Sequence, residues 1–157
     1  MKYVFDNNTL TAIFRHYYHD RFPSFWEKFN QLIELKEIVS CREVRREIES
    51  LKRGDALDDW IKQNTAFFED PTASELQFIT TIYNVKHFQQ NLEKKKLLHG
   101  GAFADPFIIA KAKVNNAIVV TQEQYKDNAT RIPNICEHFN IDCTNLEGFL
   151  KNENWTF

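Results

Sequence analysis

Four acidic side chains in this sequence stand at the end of an apolar strand or on a helix that follows one. They are Asp6, Glu47, Asp105 and Glu123. Asp6 directly follows the run KYVF, and Glu123 closes the run AIVVTQE. Carboxylate oxygens are the ligands that Mg²⁺ and Mn²⁺ prefer, and acids from separate elements can build an octahedral site. We therefore predict metal-dependent chemistry at these four acids.

Each of these acids also has a purely structural alternative. Asp6 and Asp105 could be N-caps, because Asp accepts hydrogen bonds from the free amides of a first helical turn. Pro106 suits the first position of a helix that Asp105 would then cap. Glu123 could be an ordinary loop acid. The local sequence leaves these alternatives open.

Glu43 and Glu47 compete for one role on the helix after the second strand. Ser40 and Glu43 have the S-x-x-E spacing of a capping box, which predicts a structural role for Glu43. Glu47 has no such role and lies at the edge of an apolar stripe, where an acid needs a cation or hydrogen bonds to compensate its burial. A solvated helix face remains the alternative for Glu47. The stripe is marked by Val44, Ile48 and Leu51.

The elements that must position these acids alternate between strands and helices. Apolar runs predict strands at residues 2–5, 37–40, 117–120 and 141–145, and helical periodicity fills most of the chain between them. The middle third, from about residue 55 to residue 98, is predicted to be wholly helical. This pattern indicates an α/β fold with a parallel sheet covered on both faces, in which ligands bind at the carboxyl ends of the strands.

Composition limits the classes of protein that need be considered. The chain has 157 residues, a formal net charge of −2 and three cysteines without a C-x-x-C pair. One compact domain is expected, with reduced, partly buried cysteines and no zinc ribbon. There is no apolar run long enough to span a bilayer and no signal peptide, so a cytoplasmic protein without a membrane partner is predicted.

Three further groups of side chains could bind ligands. His16-x-x-His19 could present two imidazoles to zinc, but nothing completes a tetrahedral set. The aromatic run HYYHDRFPSFW is expected in the core, with a groove for a partner peptide as its alternative. Basic side chains near the acids could contact RNA phosphates, or could simply lie on solvated helix faces. They are Arg42, Arg45, Arg46, Lys52 and Arg53, followed by Lys94, Lys95 and Lys96.

Several of these motifs, in this order, resemble the PIN-domain ribonucleases, and in particular the VapC-type toxins. The motifs are Asp6-x-Asn8 after the first strand, Val44-x-x-Glu47, Asp105 with IIAKA following, and VVT-x-Glu123. The stretch from IPNICEHF to NLEGFL is similar to a less characterised PIN-like subgroup. The resemblance covers nearly the whole chain.

The resemblance implies a fold and a function. It implies a single PIN-like domain over residues 1–157, with a helical insertion at 55–98. The fold would be a three-layer sandwich, with a central, mainly parallel sheet of four to five strands and helices on both faces. Asp6, Glu47 and Asp105 match the three core acids that hold Mg²⁺ or Mn²⁺, and Asn8 and Thr121 match accessory polar positions. The implied activity is hydrolysis of RNA to 3′-hydroxyl and 5′-phosphate ends, by a homodimeric toxin with a cognate antitoxin.

Two other functions remain as alternatives. The fourth acid of the family is usually an aspartate in T-x-D, whereas this chain has the longer Glu123, which leaves open a PIN-like interaction module with little catalysis. FDNNT is also close to the D-x-D-x-T motif of haloacid-dehalogenase-like phosphatases. Asn8 replaces the second aspartate of that motif, and no later pair of adjacent acids follows a strand.

Overall fold

A computed structural model of the protein describes residues 1–101 and 103–157. Within these residues, one parallel sheet of five strands is flanked by nine α-helices, which confirms the predicted α/β sandwich. A 3₁₀ turn at Thr65–Phe67 precedes the third strand. The elements in chain order are β1 (Tyr3–Phe5), α1 (Asn7–His16), α2 (Pro23–Glu34), β2 (Ile38–Cys41), α3 (Arg42–Leu51), α4 (Ala56–Gln63), β3 (Phe68–Glu69), α5 (Ala73–Tyr83), α6 (Lys86–Leu98), α7 (Asp105–Asn115), β4 (Ile118–Val120), α8 (Ile132–His138), β5 (Cys143–Thr144) and α9 (Leu146–Asn152).

The sheet order places β1 at the centre. The strands run β3-β2-β1-β4-β5, and every pairing is parallel. From β1 the chain builds outward to β2 and β3 on one side, and later to β4 and β5 on the other. The boundary between β1 and β4 is therefore a topological switch point, where parallel sheets open a crevice for ligands beyond their carboxyl ends.

Strand β1 is buried on both faces, which explains its unbroken apolar sequence. Its three residues are at most 3% exposed. Tyr3 and Phe5 lie on one face, because side chains alternate along a strand, and both rings pack edge-on against Phe149 of α9 at 4.9 and 5.1 Å. Phe5 also contacts Phe29 of α2. Full burial of one such ring contributes about 1.5–3 kcal/mol. Helix α7 packs on β1, β2 and β4.

The prediction that the middle third is wholly helical is wrong at one point. Phe68 and Glu69 form strand β3, which pairs with Ser40 and Cys41 of β2 at the sheet edge. The apolar pair at 67–68 continues the helical spacing of α4, but its hydrogen-bond partners come from a distant segment that local periodicity does not reveal. The helical run predicted from residue 72 to residue 98 is also divided, into α5 and α6.

Two smaller expectations can be compared with the fold. Cys41, Cys136 and Cys143 are free thiols, and the first two are buried, as predicted. Among the residues that the structure describes, no helix is both long enough and apolar enough to cross a membrane.

Candidate active site

The four predicted acids come from separate elements around the carboxyl edge of β1. Asp6 is the residue after β1, and Glu123 lies three residues beyond β4, the neighbour of β1 in the sheet. Glu47 lies on α3, which follows the other neighbour, β2. Asp105 is the first residue of α7. The fold thus directs all four toward the switch point between β1 and β4.

Asp6 is a buried carboxyl group that serves both as a helix cap and as a member of the acid group. It is 5% exposed and is the N-cap of α1, where Oδ1 accepts a hydrogen bond from the Asn7 amide at 2.7 Å. Oδ2 accepts a second from the Thr121 hydroxyl at 2.9 Å. Burial, together with the charges of Glu123 and Glu47, raises the pKa of Asp6 to about 7, although the bond from Thr121 opposes this rise. The N-cap alternative is thus correct but incomplete.

Asp105 is not an N-cap. The cap position belongs to Ala104, and Asp105 and Pro106 are the first two helical residues. Asp105 is 8% exposed, and its nearest cation is Lys95, whose Nζ lies 3.6 Å from Oδ2. Burial first, and then the charge of Asp6, raises the pKa of Asp105 to about 7. This carboxyl group is held in a place where its charge is costly without a cation.

Glu47 joins α3 to the start of α7. Its Oε1 accepts a hydrogen bond from the Ala104 amide at 2.6 Å, and the side chain is half-buried. Burial and the charge of Asp105 raise the pKa of Glu47 to about 7, while the bond from Ala104 lowers it. The solvated-face alternative for Glu47 is therefore wrong.

Glu123 lies near the other acids but is bonded elsewhere. Its Oε2 accepts a hydrogen bond from the Ile132 amide at 2.8 Å, at the start of α8. Its charge nevertheless contributes to the raised pKa of both Asp6 and Asp105. Glu123 therefore acts on Asp6 and Asp105 through the repulsion of its negative charge, and on α8 through a hydrogen bond.

The two accessory polar residues, Asn8 and Thr121, link the start of α1 to the loop after β4. The Thr121 hydroxyl, which bonds Asp6, also lies 3.3 Å from Asn8 Oδ1. Asn8 Oδ1 accepts a hydrogen bond from the Gln122 amide at 2.9 Å. Asn8 and Thr121 thus fix the geometry of the loop after β4 relative to the start of α1.

The donor set fits a hard divalent cation, but the carboxylates are not converged on one point. All four are oxygen donors. Burial and the charges of neighbouring acids raise the pKa of both Asp6 and Asp105, and a bound cation would relieve this cost. Within residues 1–101 and 103–157, no three His, Cys, Asp or Glu side chains are close enough together to hold a metal ion as they stand. Glu47 and Glu123 are turned to backbone amides, so they would have to rotate to join such a site.

The capping box predicted for Glu43 is wrong. The Ser40 hydroxyl instead donates to the Phe5 carbonyl at 2.6 Å, because Ser40 lies within β2 and not at the helix cap. In the described structure, the cap residue Cys41 makes no side-chain cap bond. Glu43 is buried at 6% exposure and accepts from the Arg42 guanidinium at 2.7 Å. The S-x-x-E spacing was one residue out of register with the true helix start.

The predicted RNA-binding residues divide into paired and unpaired cations. Arg42 and Arg46 both approach Glu43, and Arg45 lies 3.4 Å from Glu49. Lys95 is held between Asp105 and the Thr130 carbonyl, which its Nζ approaches to 2.6 Å. Lys94, in contrast, is exposed to solvent. Lys95 therefore serves the acid group directly, as a counter-charge.

Sequence reasoning missed two groupings of polar and charged residues, although it named Asn8, His16 and Arg53 singly. Asn7, Asn8, Arg15, His16, Arg53 and Gln122 line a cleft of about 410 Å³ on the α1 side of the acids. The signal for it was the spacing of Arg15 from Asn8, two helical turns along the same face. The second set is an ion cluster in which the buried Lys111 of α7 contacts Glu75 at 2.7 Å and Glu69 at 3.1 Å. Its signal was a lysine inside the apolar run IIAKA.

The remaining ligand candidates are mainly packing residues. His19 stacks on Trp26 with ring centroids 3.6 Å apart, and burial lowers the pKa of His19. Phe25 and Trp26 are in the core, as expected for the aromatic run. A peptide groove at this run stays an untested alternative. Among the described residues, His16 and His19 belong to no group of three His, Cys, Asp or Glu side chains that could hold a metal ion.

Comparison with known proteins gives the chain a family. The chain belongs to the family described as Domain of unknown function (DUF4411), whose model matches residues 3–157. No curated protein and no solved structure matches the chain.

Proposed function

We propose that this protein is a metal-dependent endoribonuclease. The observation that carries the proposal is the pair formed by Asp6 and Asp105, two buried carboxyl groups from distant parts of the chain at the switch point of a parallel sheet. Burial and the charges of neighbouring acids raise the pKa of each to about 7. Buried acids with raised pKa values in a crevice are typical of functional sites. The resemblance of the ordered motifs to PIN-domain ribonucleases supplies the type of reaction.

The residues have distinct roles in this proposal. Asp6 and Asp105 would hold one or two Mg²⁺ or Mn²⁺ ions, with Glu47 joining after it releases the Ala104 amide. Such a cation supplies a water of lowered pKa and charge stabilisation for the leaving oxygen. The Thr121 hydroxyl fixes the orientation of the Asp6 carboxyl group by donating to Oδ2. The Lys95 ammonium partly neutralises the negative charge of Asp105.

Basic side chains on both sides of the acids support RNA as the substrate. Arg42, Arg46 and Lys96 lie in one cavity, and Arg15 and Arg53 lie in the cleft on the α1 side. An RNA strand crossing the acids would meet positive charge before and after them, although the whole chain carries a net charge of −2. The proposal extends to a cytoplasmic toxin that forms a homodimer and is neutralised by a cognate antitoxin.

A catalytically weak interaction module is the second candidate. It is favoured by the hydrogen bonds that tie Glu47 to Ala104 and Glu123 to Ile132, since both carboxylates already have partners without a metal. No contact among the described residues favours the phosphatase alternative.

Cleavage of labelled RNA in Mn²⁺, in Mg²⁺ and in EDTA tests the proposal. We expect cleavage that requires a divalent cation and is lost in Asp105→Asn. Anomalous density from Mn²⁺-soaked crystals should lie among Asp6, Glu47 and Asp105. Intact RNA under all conditions, with no Mn²⁺ density at these acids, would leave the interaction module as the better description.

A further inference from the structure

A second cavity adjoins the acids on the side away from α1. It has a volume of about 360 Å³, within the range of small-ligand pockets. It lies between α3, α5, the end of α6 and the start of α7. Its lining combines three cations, three aromatic rings and one acid. They are Arg42, Arg46 and Lys96, then Tyr83, Phe103 and Phe107, and Glu43.

Glu43 has an acceptor atom without a partner. Oε1 is bonded to the Arg42 guanidinium at 2.7 and 3.0 Å and lies 3.8 Å from Arg46. Oε2 is fully buried and has no hydrogen-bond partner within the described residues. The side chain as a whole is 8% exposed. A buried acceptor without a partner is costly, so such atoms call for a specific explanation. Glu43 lines the cavity, and a small rotation of its carboxyl group would bring Oε2 to the cavity wall, where a ligand N–H group would donate to it.

The cavity is next to the acids in space. Glu43 and Glu47 are four residues apart on α3 and so lie on the same face of the helix. Phe103 and Pro106, which line the cavity, flank Asp105 in sequence. A substrate held at Asp105 and Glu47 would therefore place its neighbouring unit in this cavity.

The mixture of groups selects the kind of ligand. A simple anion would suit Arg42, Arg46 and Lys96 but would leave Glu43 Oε2 without a donor. An apolar ligand would suit the rings of Tyr83 and Phe103 but would leave Oε2 without a donor. A nucleotide unit suits the rings, Glu43 Oε2 and the cations together, because it carries a flat base that stacks, N–H groups that donate, and a phosphate.

We infer that this cavity binds one nucleobase of an RNA strand, with an N–H group of the base donating to Glu43 Oε2 and a neighbouring phosphate contacting Lys96 or Arg46. This inference deepens the proposed function and rests on it for RNA as the ligand. It assigns Glu43 to base selection and not to metal binding or to helix capping.

Sequencing of cleavage products from a randomised RNA in Mn²⁺ tests this inference. The wild type should favour one base at a fixed position relative to the cut. In Glu43→Gln the amide oxygen stays toward Arg42 and an NH₂ donor replaces Oε2, so the preference should change by about tenfold, the value of one good contact to a base edge. Glu49→Gln, on the exposed side of the same helix, is the matched control and should keep the preference. Lys96→Gln should slow cleavage at all sequences equally.

A binding measurement separates this inference from the proposed function. Fluorescence anisotropy with labelled A, C, G and U trinucleotide RNAs in EDTA needs no cleavage. Preferential binding that Glu43→Gln alters by about tenfold, with no cleavage of RNA by the wild type in Mn²⁺, would support the base site and overturn the nuclease. Equal binding of the four RNAs by the wild type, or the same preference in Glu43→Gln, would overturn the base site even if cleavage occurs. Glu43→Asp, which keeps the charge opposite Arg42, repeats the test if circular dichroism shows that the Gln variant is misfolded.

Discussion

Replacing Asp105 by asparagine should stabilise the metal-free protein at about pH 8 and remove its response to Mn²⁺. Asparagine keeps the size and shape of the side chain but removes the charge. Ala104, and not Asp105, is the N-cap of α7, so the substitution does not disturb a helix cap. The change in stability therefore reports the electrostatic cost of the Asp105 carboxylate.

The raised pKa sets the size and the sign of this effect. The pKa of Asp105 rises from its ordinary value of 3.8 to about 7, mainly through burial. Such a rise corresponds to about 4 kcal/mol against the ionised folded state. Because the repulsion from Asp6 is relieved when either acid takes up a proton, and because the asparagine amide is itself costly to bury, we expect a net gain of about 2 kcal/mol for Asp105→Asn. For a chain of this length that is about 4–8 °C in melting temperature.

The effect should depend on pH in one direction. Below about pH 4 Asp105 is protonated in both the folded and the unfolded state, and above about pH 7 it is ionised in both. Between these values the folded state binds more protons, so the stability of the wild type should fall as the pH rises. The advantage of Asp105→Asn should therefore be nearly absent at about pH 4 and complete at about pH 8.

Thermal melts with and without Mn²⁺ measure both parts of the prediction. Saturation of the wild type at about 100 times its Kd should add about 2.7 kcal/mol, and Asp105→Asn should lose most of this gain. Asp142→Asn, at an exposed aspartate, should behave as the wild type does. A lower melting temperature for Asp105→Asn at about pH 8, together with an unchanged Mn²⁺ response, would refute the acid group as a cation site.

Three further substitutions test other parts of the site. Glu47→Gln should keep its hydrogen bond from the Ala104 amide and be at least as stable as the wild type at about pH 8, because burial raises the pKa of Glu47 and the neutral amide removes the cost of its charge. It should lose Mn²⁺-dependent RNA cleavage, and retained cleavage would remove Glu47 from the metal centre. Lys111→Met should lower the free energy of unfolding by about 3–5 kcal/mol in urea titrations, because it leaves Glu75 buried and unpaired, and the added change Glu75→Leu should restore much of the loss. Thr121→Val removes the hydroxyl that lowers the pKa of Asp6, so the acidic limb of the pH–rate profile should move to higher pH, and an unmoved limb would contradict this role.

The fold was largely predictable because its signals are local. The apolar runs at β1, β2 and β4, each followed by a helix, are enough to predict a parallel sheet buried on both faces. The exception is β3, whose two residues become a strand only by pairing with β2. A segment this short has no periodicity of its own, so its structure depends on a neighbour that is distant in sequence.

The candidate site was predictable in its membership but not in its geometry. Strand ends and helix starts in the sequence were sufficient to select Asp6, Asp105, Glu47 and Glu123. The sequence could not tell that Glu123 bonds the start of α8 or that Glu47 bonds the start of α7. These bonds depend on side-chain orientation across elements, which local spacing does not specify.

Two acids of helix α3 show most clearly what the sequence determines and what the tertiary structure decides. The sequence by itself determined that α3 follows β2 and that Glu43 and Glu47 share one face, because helical periodicity is a property of consecutive residues. Only the tertiary structure decided what each acid meets. Folding buries Glu43, which pairs with Arg42 and Arg46 of its own helix, and brings the Ala104 amide at the start of α7 to Glu47. Burial and charge at these positions are sums over residues far apart in the chain, so they exist only once the chain is folded.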